Sequence, residues 1–265
     1  MNYSMIQVEV SGSLCRIRLN RPEKRNALCP QLVEELREAF QAANRDLNTA
    51  VVILSGAGPA FCAGLDLAHL QALEYKSRTE HYADSAAIAA LFVALRNCDK
   101  PTIAAVDGAA IAGGCGLATL CDFTLATPRA KFGYTEVRIG FIPAIVSGFL
   151  RAQLGEKQAR DLLLSGRVLE AEEAYRLGLV NRIVEVEELT SAAEALAAEL
   201  LKNSPTALAA TKRLLRCQTS ATERIHMELA VQANAEARAT TDFREGIRSF
   251  LEKRSPVWPS LQGNS

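Results

Sequence analysis

Two glycine-centred turns carry the strongest chemical signal in this chain. The first reads Phe61-Cys62-Ala63-Gly64-Leu65-Asp66-Leu67, the second Ile111-Ala112-Gly113-Gly114-Cys115-Gly116-Leu117. Each follows an apolar, strand-like run and enters a segment able to start a helix. Backbone N–H groups at such a junction lack intrahelical partners, and the helix dipole favours negative charge there. Two of them converging on one point form an oxyanion hole, suited to an enolate or a tetrahedral oxyanion made from a carbonyl.

A candidate acid/base is Glu136, within Phe132-Gly133-Tyr134-Thr135-Glu136-Val137-Arg138. Taken alone, the plainer reading is a solvated glutamate or one paired with Arg138. The reading with chemistry is a desolvated carboxyl whose pKa rises toward the range useful for proton transfer. Cys62 and Cys115 sit in the two turns, but no histidine lies near either in sequence, and a buried structural thiol is expected. His69 and His81 are expected at the surface, and Lys24-Arg25 and Lys253-Arg254 read as solvated charge.

The elements that must position these groups follow from periodicity. Residues 5–10 and Leu14–Leu19 read as a hairpin around Ser11-Gly12. Residues 31–43 form an amphipathic helix, with Leu32, Val33, Leu36, Ala39, Phe40 and Ala43 on one face. Buried strands are expected at 51–54, 102–106 and 123–126, and a helix at 81–96. The mixed polarity of 68–80 marks the most mobile part, and 131–147 reads as mostly loop. From 149 onward the pattern is helical. Ser204-Pro205 starts one helix, Ser220 to Glu223 fits a capping box, and the tail from Ser260 frays. The expectation is an α/β core over residues 1–200 and a helical region over 201–265.

Composition narrows the function classes. The 265 residues carry 30 Lys+Arg and 30 Asp+Glu, so no general nucleic-acid or anionic-membrane surface is expected. Apolar runs are too short to span a bilayer. Residues 1–10 lack the basic and apolar regions of a signal peptide. Seven cysteines without a C-x-x-C pair, and three scattered histidines, argue against a disulfide framework and a metal site. A reducing, cytoplasmic location is expected.

The chain resembles the enoyl-CoA hydratase/isomerase family, the crotonase superfamily, over residues 5–255. The resemblance rests on Leu19-Asn20-Arg21-Pro22 with Asn26-Ala27-Leu28, on the stretches 61–67, 107–122 and 131–143, on 163–181, and on Phe250-Leu251-Glu252-Lys253-Arg254. It implies a crotonase-like spiral of ββα turns with a C-terminal helical trimerisation region, in trimers or hexamers. It implies an acyl-CoA substrate and no cofactor beyond the coenzyme A of the substrate itself. The N–H groups of Leu65 and Gly113 would hold the thioester oxygen. Arg25, Ala27, Ala63, Asp66, Leu67, Gly116, Phe250 and Lys253 would contact substrate or CoA, the Phe250 ring packing on adenine and Lys253 meeting phosphate.

One departure bears on the reaction. Typical hydratases of the family place glutamates at the positions of residues 116 and 136, whereas this chain has Gly116 and Glu136. A single glutamate is the pattern of Δ3,Δ2-enoyl-CoA isomerases. Glycine at the first position also resembles hydratases of the 3-methylglutaconyl-CoA type, as does Arg138-Ile139-Gly140-Phe141-Ile142-Pro143-Ala144. There a substrate carboxylate would supply what the enzyme lacks, or Arg138 would help to recognise it. Ala144 stands where dienoyl-CoA isomerases and aryl-CoA dehalogenases have a catalytic aspartate. The resemblance therefore implies a hydratase first and an isomerase second, with a non-catalytic CoA-binding or RNA-associated paralogue as the contrasting class. Asp66, His69, Glu74 or a bound water are the candidates to replace the missing glutamate.

Overall fold

A computed structural model describes residues 3–217 and 220–262, with the backbone alone at 220–223. The hairpin forms as expected: β1 (Ile6–Ser11) and β2 (Leu14–Leu19) pair antiparallel about Gly12, whose φ is +58°. From there the chain alternates between two sheets. A long strand enters the first sheet, a short strand enters the second, and helix follows. The long strands are β3 (Val51–Gly56), β5 (Thr102–Val106) and β7 (Phe123–Ala126). Their short partners in sequence are β4 (Ala60–Cys62), β6 (Ala109–Ile111) and β8 (Lys131–Gly133). With β9 (Val168–Glu170) and β10 (Arg182–Ile183) the sheets run β1-β2-β3-β5-β7-β10 and β4-β6-β8-β9. The long strands pair parallel and are covered on both faces, so Val51 to Leu54 and all of β5 are buried.

The helices are α1 (Pro30–Arg45), α2 (Leu67–Leu73), α3 (Arg78–Arg96), α4 (Gly113–Leu120), α5 (Ala144–Ser165), α6 (Ala171–Arg176) and α7 (Leu189–Leu200). After residue 200 come α8 (Pro205–Cys217), α9 (Ser220–Ala237) and α10 (Thr241–Leu251). One core lies between the sheets, α1 and α3, and includes Phe40, Phe61, Phe92 and Phe132. A second layer packs Val51, Ile53, Ile103 and Leu125 against Leu189, Leu196 and Leu200 of α7. A smaller cluster joins Leu70 and Leu73 to Phe141, Phe243 and Ile247. That cluster lets α10 lie close on the turn at 136–139: a Cβ at Gly246 would stand 2.2 Å from the carbonyl of Ile139. Among the described residues no helix is long and apolar enough to cross a membrane.

Several expectations change. The stretch 68–80 holds α2 and a capping box in which Ser77 and Glu80 bond each other's backbone, so α3 starts at Arg78 rather than 81. Leu70 and Leu73 supply a buried face three residues apart that the surrounding polar residues mask. The stretch 131–147 contains β8, a 3-10 turn at Glu136–Ile139 and the start of α5. Past 149 the chain still inserts β9 and β10, two strands too short to show periodicity. Ser204 caps α8 through a bond from Ala207 N, whereas the side chains of 220–223 lie outside the described residues. Ser260 is tied to both carboxylate oxygens of Asp242, and 263–265 lie outside the described residues.

The parallel pairing of β4 with β6 sets the two glycine turns side by side. A Cβ at Gly114 would lie 2.2 Å from the carbonyl oxygen of Cys62, a contact that backbone cannot yield to. Gly114→Ala is therefore expected to cost about 1–3 kcal/mol in urea unfolding, the usual cost of overpacking.

Candidate active site

The N–H groups of Leu65 and Gly113 are left without a backbone acceptor, each for a local reason. Gly64 takes φ +88°, where a side chain is strained and would press on Ala112. Leu65 then bridges to Leu28. Leu28 N donates to Gly64 O at 2.7 Å, and Asp66 N donates to Leu28 O at 2.9 Å. Those bonds use the groups flanking Leu65 and turn its own N–H to the other side. In the second turn Ala112 adopts φ +51°, ψ −122°, an uncommon conformation for a residue with a side chain. Its N–H is anchored to Gly133 O of β8 at 2.7 Å. Gly113 then opens α4, where an N–H has no intrahelical acceptor. Among the described residues neither Leu65 N nor Gly113 N donates a backbone hydrogen bond.

The same β6–β8 pairing delivers Glu136, three residues past the end of β8. Its side chain is in the chain's interior, the residue being 8% exposed, and its Oε2 has no hydrogen-bond partner. Burial pushes its carboxyl up to about 7 from an ordinary 4.5. The alternative of an ion pair with Arg138 does not form: Arg138 is exposed and lies against Gly166, whose Cβ would sit 3.2 Å from Arg138 Cγ.

Leu65, Gly113 and Glu136 line one cavity of about 160 Å³. Its remaining wall is largely apolar: Leu67 and Leu70 of α2, Ile88 and Phe92 of α3, Ile142 to Val146, and Phe250 of α10. Apart from Glu136, the polar side chains in the wall are Thr135 and Asn234, and among the described residues no Lys, Arg, His or Asp lines it.

Other residues singled out in the sequence divide between cavity and rim. Ala63, Leu67 and Phe250 line the cavity, Phe250 with 55% of its surface exposed. Arg25 is exposed at φ +50°, and its carbonyl accepts from Ala63 N at 3.0 Å. The Ala27 carbonyl accepts from Arg21 Nη1 at 2.6 Å. Asp66 caps α2 through Ala68 N and pairs with Arg21 at 3.0 Å, which holds its carboxyl below the usual range despite partial burial. Lys253 is exposed just past α10 and does not line the cavity. Gly116 is buried outside the lining: a Cβ there would meet Val146 Cγ1 at 2.4 Å and Phe92 Cε1 at 2.7 Å.

None of Asp66, His69 and Glu74 lines the cavity either. His69 is not a free surface group, since its Nε2 lies 2.6 Å from Asp84 Oδ1. Asp84 in turn accepts from the fully buried Arg238 at 2.6 Å, and that guanidinium sits 5.7 Å from the centroid of Phe141. His81 is also buried, with Nε2 2.8 Å from Leu73 O. Burial pushes the Cys62 and Cys115 thiols up to about 12, away from nucleophilic duty. Asn234 was not singled out in the sequence, because a lone asparagine in an alanine-rich helix carries no motif.

The sequence profile described as enoyl-CoA hydratase/isomerase matches residues 9–261. The chain belongs to this family. It is 45% identical to a Thermus thermophilus protein named "Putative enoyl-CoA hydratase", over 95% of this chain and 99% of that one. It is 35% identical to the crotonyl-CoA hydratase of Syntrophomonas wolfei, over 96% and 97% of the two chains. The crystal structure of an enoyl-CoA hydratase from Mycobacterium avium superposes with a TM-score of 0.85 at 33% identity, covering 97% of this chain and 99% of that one. The spiral of paired sheets with its helical C-terminal region is thus the crotonase fold, and the chain is an enzyme of the enoyl-CoA hydratase/isomerase family.

Raising a carboxyl from 4.5 to about 7 makes the folded state bind a proton that the unfolded chain has released. Stability then falls as pH rises from about 4.5 to 7 and levels off above. Glu136→Gln removes this loss. Compared by urea unfolding across that window, the variant should gain on the parent with rising pH, by up to about 3 kcal/mol above pH 7.

Proposed function

We propose that this enzyme hydrates 2-enoyl-CoA thioesters. The observation that carries the reading is the buried carboxyl of Glu136, its Oε2 without a partner, in the same cavity as the unused N–H groups of Leu65 and Gly113. Ionised Glu136 takes a proton from water as the water oxygen bonds to C3. The C2–C3 π pair moves toward the thioester, whose oxygen becomes an enolate held by the two N–H groups and the α4 dipole. Protonated Glu136 then returns that proton to C2, so one water is added and both hydrogens are accounted for. A carboxyl near 7 is suited to taking and giving in turn.

The wall also speaks to the acyl chain. With no cation in it and Arg138 turned toward Gly166, the cavity favours an apolar acyl group over a carboxylated one such as 3-methylglutaconyl. Coenzyme A would lie along the rim from Arg25 and Ala27 through Ala63, Asp66 and Leu67 to Phe250 and Lys253, largely on backbone groups. The chemistry is complete with N–H donors, one carboxyl and the substrate's own CoA, so no further cofactor is needed. Exposed Leu214, Leu215, Ile225 and Leu229 on α8 and α9 supply an apolar face for trimers or pairs of trimers. A second reading, Δ3,Δ2-enoyl-CoA isomerase, is favoured by the filled space at Gly116, since one carboxyl moving a proton between C2 and C4 needs no partner.

Crotonyl-CoA should lose its 2-enoyl absorbance and gain the mass of one water, with 3-methylglutaconyl-CoA a poorer substrate. Glu136→Gln should lower kcat by about 100- to 10,000-fold. EDTA should leave the rate unchanged. Conversion of 3-hexenoyl-CoA at constant mass, with no hydration of crotonyl-CoA, would replace the first reading by the second. Sedimentation should return three or six times the mass of one chain.

A further inference from the structure

A one-carboxyl hydration leaves the water itself poorly held, because Glu136 alone must orient it and accept its proton. The position from which a second carboxylate would come, residue 116, is closed by Phe92 and Val146. A polar group reaches the cavity from elsewhere. Asn234 of α9 is 4% exposed, lines the cavity, and bonds through Oδ1 to Ser85 Oγ at 2.7 Å. Ser85 is completely buried on α3, on the same face as Ile88 and Phe92, which also form the wall. The serine thus fixes which way the amide faces. Among the described residues Asn234 Nδ2 donates to nothing. An amide NH₂ in a mostly apolar wall calls for an acceptor, and among the described residues none bonds it.

Resting on the hydratase reading, we propose that Asn234 is a further catalytic residue, whose Nδ2 donates to the oxygen of the attacking water, with Ser85 as its positioning residue. The water oxygen accepts from Asn234 with one lone pair and bonds to C3 with the other, while one of its protons passes to Glu136. Asn234 gives up no proton and changes no charge. It acts on the attacking water alone and takes no part in proton transfer at C2 or in holding the enolate oxygen, and this separates it from Glu136, Leu65 and Gly113.

The test uses that separation. Butyryl-CoA in D₂O exchanges its C2 protons through the enolate without any attack by water, and the exchange is read by mass spectrometry. Asn234→Leu should lower kcat for crotonyl-CoA hydration by about 100-fold with KM within about threefold. Its butyryl-CoA exchange should stay within about threefold of the parent, while Glu136→Gln loses both. Hydration by Asn234→Leu close to the parent's, a rise in KM alone, or a parallel fall in hydration and exchange would each overturn the assignment. If that variant does not fold, Ser85→Ala decides: a fall of about tenfold in hydration with exchange kept supports it, and unchanged hydration overturns it. Should the parent hydrate without exchanging, the kcat and KM split alone judges the variant. A parent that leaves crotonyl-CoA unhydrated overturns the hydratase reading, and this assignment with it.

Discussion

The close approach of two backbone turns is the constraint on which the rest of this structure depends. Parallel pairing of β4 with β6 brings Gly64 against Ala112 and Gly114 against Cys62, at separations that leave no room for a Cβ. Local hydrogen bonds use the groups on both sides of Leu65 and the N–H of Ala112, and the N–H groups of Leu65 and Gly113 are left without a backbone acceptor. The positive φ of Ala112 belongs to the same arrangement, because it is held from one side by Gly133 of β8 and from the other by the start of α4. A donor pair made from main chain in this way cannot wander as side chains do. In the proposed reaction it would be organised before any charge develops on the substrate oxygen.

Glu136, the proposed acid/base group, is governed by an opposite economy, in which a polar atom is left unsatisfied. Phe92 and Val146 close the space beside Gly116 and at the same time make the cavity apolar. That apolar surrounding raises the Glu136 carboxyl toward neutrality. The closed space at Gly116 and the raised carboxyl of Glu136 are thus linked through the same side chains. A second carboxylate at 116 would bring like charge and water with it, and would alter the titration of Glu136.

Completion of the wall falls to the C-terminal helices. Asn234 of α9 and Phe250 of α10 close the cavity built by the strand–strand–helix turns. Their seating rests on contacts that reach far along the chain. Arg238 joins Asp84 of α3, which holds His69 of α2, while Gly246 lies on the carbonyl of Ile139 just past Glu136. Breaking a buried pair of this kind by removing one partner leaves an uncompensated charge, so the contact ties the segments that it joins.

Much of this was legible in the linear chain. The hairpin, the buried strands β3, β5 and β7, the helix α1 and the two glycine turns follow from local rules of periodicity and backbone freedom, which act over a few residues. The two turns and the candidate Glu136 were visible in the residues, the choice of Leu65 and Gly113 as donors came from the family resemblance, and the cavity brings all three together. Other features were not local and could not be read. The helix within 68–80 is stabilised by burial of Leu70 and Leu73 against Phe141, Phe243 and Ile247, partners far away in sequence. His81 is buried by the same packing. Whether Glu136 is solvated, paired with Arg138 or desolvated depends on what surrounds it, and only the fold supplies the surroundings. Asn234 looks like any polar helix residue until α9 is laid across α3. Residue types and spacing by themselves determined which backbone turns and which carboxyl this protein has. Tertiary structure alone decided which polar groups share a dry cavity, because desolvation is a property of the packed neighbourhood and not of the residue.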